Sequence, residues 1–196
     1  MTFLTDFADQ AVVLPLALVI ALAMALIGWA RGALVWLTAV VGTFGVIALL
    51  KIILAACGPV HIGGEIQSPS GHTAAAAIVY GGLIALIVRR CGMGICLAFL
   101  PAPVVVLLIG LSRIELGAHT PAEVVIGGLV GCVGTLAMLL LVGAPPLRFN
   151  LRWIVGPAVI VAVAMHGYHL NAEDGLREIG GRFAWLAAVC GVHGRL

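Results

Sequence analysis

Ser112-Arg113-Ile114-Glu115-Leu116-Gly117-Ala118-His119-Thr120-Pro121-Ala122-Glu123 runs directly into VVIGGLVGCVGTLAMLLLV, residues 124–142. From Pro121 onward the chain is apolar for about the ~20 residues that a helix needs to cross ~30 Å of hydrocarbon. It lacks the period-two alternation of a half-buried strand, so it reads as a helix. Thr120 followed by Pro121 and Glu123 is a helix start, a capping-box pattern with proline at the first helical position. Gly127 and Gly131 form a GxxxG step with Gly134 beyond it, a face that another helix can approach closely.

The rest of the chain repeats this character. Of 196 residues, 63% are hydrophobic and 9% charged, and the mean hydropathy is +1.23. An ordinary soluble domain is about half apolar, so that class is excluded. Six runs approach membrane length, at about 11–29, 33–56, 73–88, 95–111, 121–142 and 153–169, the third and sixth near the short limit. The expected fold is all-α, a polytopic membrane helical bundle of about six transmembrane helices. It forms a single domain over 1–196, with no linker and no repeat. Gly42 and Gly45 are read, like Gly127 and Gly131, as helix-packing positions. Beyond about 170, Asn171, Glu173, Asp174, Arg177, Glu178 and Arg182 alternate with Leu176, Ile179, Phe183, Trp185 and Leu186. This is the pattern of an amphipathic tail (170–196) lying at the membrane interface.

Following the runs in order assigns Arg31, Arg89, Arg90, Arg148 and Arg152 to one side of the membrane. Positive residues favour the cytoplasm, so the opposite side, with Asp6 and Asp9, faces outward. The acidic start lacks the basic region of a cleavable signal, so the first run is expected to be a retained helix. The five cysteines form no CxxC pair. Cys57 and Cys190 could share the outer side, but the expectation is five free thiols packing as small apolar residues. Nothing in the composition points to nucleic acid.

In such a chain each ionisable group needs a reason. Two polar stretches hold most of them: Ser68-Pro69-Ser70-Gly71-His72, and Ser112-Arg113 with His119 and Glu123. Two crossings separate them, so they lie on the same face. Gly71-His72-Thr73 leads into Ala74–Ala77, a helix start whose free amides and positive dipole end suit an anion. Metal-free hydrolysis of a phosphate ester needs cationic and amide donors around the phosphoryl oxygens. It also needs a nucleophile, a group orienting it, and an acid for the leaving oxygen. Lys51, Ser70, Gly71, His72, Arg113, His119 and Glu123 offer candidates for each. Ser112 is read as a hydrogen-bonding neighbour, and Glu65, His166, His169 and His193 are assigned no chemistry.

These residues resemble the type 2 phosphatidic acid phosphatase superfamily, which shares its fold with vanadium-dependent haloperoxidases. Its signatures are K-x6-R-P, P-S-G-H and S-R-x5-H-x3-D. The second is intact as Pro69-Ser70-Gly71-His72. The third is present as Ser112-Arg113, His119 and, in place of aspartate, Glu123. The first is partial: Lys51, six residues, then Gly58-Pro59, with no arginine. The motif core covers about 51–123. The resemblance implies that His119 attacks phosphorus, Glu123 holds its imidazole in the reactive tautomer, and His72 protonates the leaving group. Lys51, Ser70, the Gly71 amide and Arg113 would bind the phosphoryl oxygens.

By the same resemblance, no metal or cofactor is needed, and no convincing metal-ligand spacing occurs. The implied protein is a multi-pass phosphatase of the bacterial inner membrane, its site facing the periplasm or cell exterior. Its partners are membrane lipids and a lipid phosphate or pyrophosphate such as undecaprenyl pyrophosphate, phosphatidic acid or phosphatidylglycerol phosphate. The alternatives are a lipid phosphotransferase and a catalytically weak phospholipid-binding protein; a haloperoxidase fits least. Loss of the arginine at Gly58 removes a phosphate clamp, and His61 is the cation nearest in sequence to replace it.

Overall fold

The computed structural model describes residues 2–58, 60–61, 65–143, 146, 150–170, 175–176 and 178–179. A short helix α1 (Thr2–Asp6) precedes α2 (Gln10–Leu26) and α3 (Ala30–Cys57). The connection to α4 (Gly71–Ala76) carries two-residue strands β1 (Val60–His61) and β2 (Glu65–Ile66), paired antiparallel. A π-helical turn, Ala77–Gly81, joins α4 to α5 (Gly82–Arg90) without a break. Then follow α6 (Ile95–Phe99), α7 (Pro101–Glu115), α8 (Pro121–Leu141) and α9 (Arg152–Ala164).

The described chain is thus a helical bundle, as its apolar runs require. Four helical stretches are long and apolar enough to cross a membrane: Ala30–Cys57, Gly71–Arg90, Ile95–Glu115 and Pro121–Leu141. The third run, expected near the short limit, extends to 20 residues because the π turn keeps it continuous. The first and sixth are the short ones, at 17 and 13 residues. Leu18 and Leu22 of α2, Leu34 and Val41 of α3, Leu107 of α7 and Leu129 and Val133 of α8 are exposed. So much outward apolar surface is compatible with a bilayer and costly in water.

The continuous helix α4–α5 is the central one: most of its length is buried, whereas the other three long helices turn most of theirs outward. Small residues make this possible. The run from Ala74 through Val79 is fully or nearly fully enclosed, and glycines of α8 lie directly on the backbone of α4. A Cβ on Gly127 would strike the Ser70 carbonyl, and one on Gly131 would come within 2.6 Å of the Ala74 carbonyl oxygen. At the π turn the Thr135 hydroxyl donates to the Ala77 carbonyl at 3.0 Å. Trp36 anchors the rest of the core, fully buried among Leu16, Ile20, Met24, Ile78 and Met138. Its indole N–H donates to the Ala17 carbonyl at 2.9 Å.

Gly42 and Gly45 do not pack helices as expected. A Cβ at either meets nothing within 4 Å, so neither is a close-approach position. This contrast gives a stability prediction. Gly127→Ala must push the α4 start away from α8, costing about 1–3 kcal/mol and lowering the detergent Tm by several degrees. Gly42→Ala should leave Tm unchanged or slightly raised, since it only removes unfolded-state freedom. Equal Tm values for the two variants would refute this account of the α4–α8 contact.

The bundle has two distinct ends. Arg31, in the first turn of α3, donates to the Leu141 carbonyl at the finish of α8 at 3.1 Å. The opposite end gathers the α3 finish and the starts of α4 and α8. Arg148, Cys190, His193 and most of the 170–196 tail lie outside the described residues, as do the side chains of His61 and Glu65. The expectation of five free thiols is corrected. Cys91, Cys96 and Cys132 are free, but Cys57 is disulfide-bonded. Spacing along a chain does not reveal such a bond, because it depends on two Cβ atoms meeting in space.

Candidate active site

Both polar stretches meet at one end of the bundle. The parity of two crossings required this, and direct contacts now join them. The Ser70 amide donates to the Glu123 carbonyl at 3.0 Å. The Glu123 side chain reaches across as well, its Oε1 accepting from the amides of Gln67 and Ser68, both at 2.8 Å.

Glu123 is the hub. Its other oxygen, Oε2, lies 2.9 Å from His119 Nδ1 and accepts from the Thr120 amide at 3.1 Å. The Thr120 hydroxyl accepts in turn from the Glu123 amide, completing the capping box expected of this junction. His119 and Glu123 are i,i+4 neighbours, and both are buried. One carboxylate therefore orients the imidazole, caps α8 and pins the 67–68 segment. With Nδ1 engaged by a carboxylate, that nitrogen carries the proton and Nε2 presents its lone pair.

The remaining expected residues lie at the same end of the bundle. Lys51, near the end of α3, is buried and donates to the Ser68 hydroxyl at 2.9 Å. Lys51 and Arg113 both lie close enough to act on the charge of His119. Ser70 is fully buried as the N-cap of α4: its hydroxyl accepts from the Thr73 amide at 3.4 Å and pairs with the Thr73 hydroxyl at 2.9 Å. Gly71 and His72 open the helix and, with Lys51, line a cavity of about 510 Å³. Thr43, Phe44, Ile47 and Ala48 continue this cavity along α3, and Leu170, Leu176 and Ile179 contribute from beyond α9. Its lining is thus polar at one end and apolar along the rest.

Ser112 is the hydrogen-bonding neighbour it was read as. It donates to the Ile109 carbonyl at 2.7 Å and pairs with the Thr5 hydroxyl at 2.8 Å. Gly58, where the family pattern has arginine, ends α3 with φ +86°. An L side chain rarely adopts that conformation, so this helix end is built for glycine.

Burial pushes the His119 imidazole pKa down. The hydrogen bond it donates to Glu123 pulls it back, and the charges of Lys51 and Arg113 press it down further. The result lies below the usual 6.5, leaving the ring neutral at physiological pH. Among the described residues, no three His, Cys, Asp or Glu side chains gather as a metal ion would need.

The sequence reading missed Asp9. This residue caps α2, accepting from the Ala11 amide at 2.8 Å, and its Oδ2 lies 3.6 Å from His72 Nε2. The available signal was a carboxylate just before a long apolar run, on the same face as both polar stretches. The approach itself joins residues 63 positions apart, from 9 to 72, which no local pattern reports. No protein-family model matches the chain, and no curated protein or solved structure does.

Proposed function

We propose that the chain is a membrane phosphatase hydrolysing a lipid phosphate or pyrophosphate through a phosphohistidine, a member of the type 2 phosphatidic acid phosphatase superfamily. The observation that carries this reading is the buried His119–Glu123 dyad, with Lys51 and Arg113 acting on it, and with Lys51 also lining a cavity beside His72. A neutral imidazole with one nitrogen held by a carboxylate is a prepared nucleophile. Two cations beside it suit the charge that develops on phosphoryl oxygens. The part-apolar cavity beside Gly71 and His72 suits a headgroup whose chains stay in hydrocarbon.

In the first step His119 Nε2 forms a bond to phosphorus while the bond to the leaving oxygen breaks, and His72 supplies that oxygen's proton. In the second, neutral His72 takes a proton from water as its oxygen attacks phosphorus. The P–N bond then breaks, releasing phosphate and restoring both histidines. Lys51, the Gly71 amide and Arg113 hold the phosphoryl oxygens, and Ser70 shapes the helix start that presents that amide. By the charge distribution the site faces outward, with the arginine-bearing end in the cytoplasm. The glycine at position 58 supports a second reading, a phospholipid-binding protein with weak turnover.

The test is phosphate release by detergent-purified protein on phosphatidic acid, phosphatidylglycerol phosphate and undecaprenyl pyrophosphate, with EDTA present. Release that His119→Ala abolishes supports the hydrolase; none above that variant on any of the three lipids favours the binding protein. The pH profile adds a second check. His119 attacks only when neutral, so activity falls as pH drops through its folded pKa. Because burial sets that pKa below 6.5, the acid limb of kcat/KM should have its midpoint below 6.5. A midpoint above that value would contradict the assignment of His119 as a buried, neutral nucleophile.

A further inference from the structure

Only one of the two site histidines, His119, has a carboxylate partner within the two motifs. The other, His72, finds one from the far N-terminus. Asp9 is buried, and its two oxygens do different work. Oδ1 accepts from the backbone amides of Ala11 at 2.8 Å and Leu170 at 3.1 Å. Oδ2 is thereby aimed at imidazoles: His72 Nε2 at 3.6 Å and His169 Nδ1 at 3.4 Å.

The segment carrying Asp9 is tied down on both sides of the site. The Thr5 hydroxyl pairs with Ser112 at 2.8 Å, next to Arg113. The Tyr80 hydroxyl donates to the Phe7 carbonyl at 2.6 Å, from about two turns along the helix that His72 begins. Burial opposes ionisation of Asp9, but the nearby His72 imidazole and the bonds from the Ala11 and Leu170 amides outweigh it and hold the carboxyl well below its usual range. A fixed negative charge thus stands beside one nitrogen of a half-buried imidazole at the cavity wall.

We propose that Asp9 is the positioning residue for His72, the leaving-group acid, so that the site contains two carboxylate–histidine pairs with opposite tasks. This rests on the phosphatase reading above. With Nε2–H turned to Asp9, Nδ1–H faces the leaving oxygen. As the P–O bond breaks, that proton passes from Nδ1 to the oxygen, and Asp9 stays ionised throughout. When water attacks the phosphohistidine, Nδ1 takes its proton and the imidazolium re-forms against Asp9. His169, from the segment after α9, shares the same carboxylate oxygen and links the chain's far end to this pair.

The experiment compares leaving groups in the full-length protein. Dodecyl phosphate expels an alkoxide that must be protonated; p-nitrophenyl phosphate expels a stable phenolate that need not be. Asp9→Asn keeps the α2 cap, because asparagine caps as well as aspartate, but presents an uncharged amide to His72. We expect kcat/KM on dodecyl phosphate, which reports the steps through phosphoryl transfer to His119, to fall roughly 30-fold or more, a share of the ~10²–10⁴ that a positioned acid contributes. On p-nitrophenyl phosphate, whose phenolate leaves unprotonated, kcat/KM should change less than about 3-fold, and His72→Ala should likewise lose far more kcat/KM on dodecyl phosphate. The water step, which His72 serves for both substrates, lowers kcat on both alike. In the double variant the two losses should not multiply.

Equal losses of kcat/KM on both substrates would mean that Asp9 only holds the fold, overturning the proposal while the phosphatase reading stands. No loss on either substrate would overturn it too. A wild-type protein inactive on both, and on the three lipids, would remove the proposal together with the function beneath it.

Discussion

Replacing His119 by alanine is expected to stop turnover, lowering kcat by roughly 10⁴-fold or more, as loss of a covalent nucleophile does. The fold should survive. His119 lies in the connection between α7 and α8, and its one described side-chain partner is Glu123, which keeps its bonds to Gln67, Ser68 and Thr120. Substrate binding should be largely retained, because Lys51, Gly71 and Arg113 remain. The variant should therefore bind phosphatidic acid with near-normal affinity while releasing no phosphate. Quenching the wild type during turnover of ³²P-labelled substrate should trap an acid-labile, alkali-stable phosphoprotein that His119→Ala lacks. A variant retaining about a tenth of the wild-type rate would exclude His119 as the attacking group.

Changes at Glu123 are expected to have the next largest effect, and their pattern is diagnostic. Glu123→Gln keeps the size of the side chain. Its carbonyl can still serve Gln67 and Ser68, but its NH₂ group then faces His119 Nδ1 and the Thr120 amide. An amide donating to Nδ1 forces the proton onto Nε2, the nitrogen proposed to attack. The wrong tautomer in a comparable triad costs about 10⁴, so a loss of roughly 10²–10⁴ in kcat is expected here. The amide also meets the Thr120 N–H donor to donor, which should lower Tm.

Glu123→Asp supplies the aspartate of the signature that the chain resembles and is nevertheless expected to reduce activity. The glutamate spans from His119 and Thr120 on one side to the Gln67 and Ser68 amides on the other, with contacts of 2.8–3.1 Å throughout. A side chain shorter by one methylene cannot keep both ends. Losing the 67–68 end strands the buried Ser68 amide, worth about 1–3 kcal/mol. It also releases Ser68, which holds Lys51. A misplacement near 1 Å costs about 100-fold, so kcat/KM is expected to drop between about 10- and 100-fold. Activity equal to or above wild type would show that the bridge to residues 67–68 is dispensable.

The contrast between the two carboxylates shows where sequence reading reaches its limit. Glu123 was legible: four residues from His119 and three from Thr120, it falls on one face of a helix start whatever the rest of the chain does. Asp9 was visible only as an acidic N-terminus, because its partners at 72, 169 and 170 lie in other elements. Glu123's hold on residues 67–68 was hidden for the same reason. The glycines divide in the same way. Gly127 and Gly131 are close-approach positions and Gly42 is not, though all were read alike, since a motif names small residues without saying which face meets a neighbour.

By itself the sequence determined the helical class, the apolar stretches, the capping box at Thr120, and the placing of both polar stretches at one end. These follow from composition, helix period and the parity of crossings, all local or additive properties of the chain. The tertiary structure alone decided that α4–α5 is the central helix, that Glu123 bridges two loops, and that Asp9 turns toward His72. It also decided that Cys57 is disulfide-bonded. Each depends on the packing of segments far apart in sequence, where close contact between small side chains and backbone selects one arrangement that no periodicity encodes.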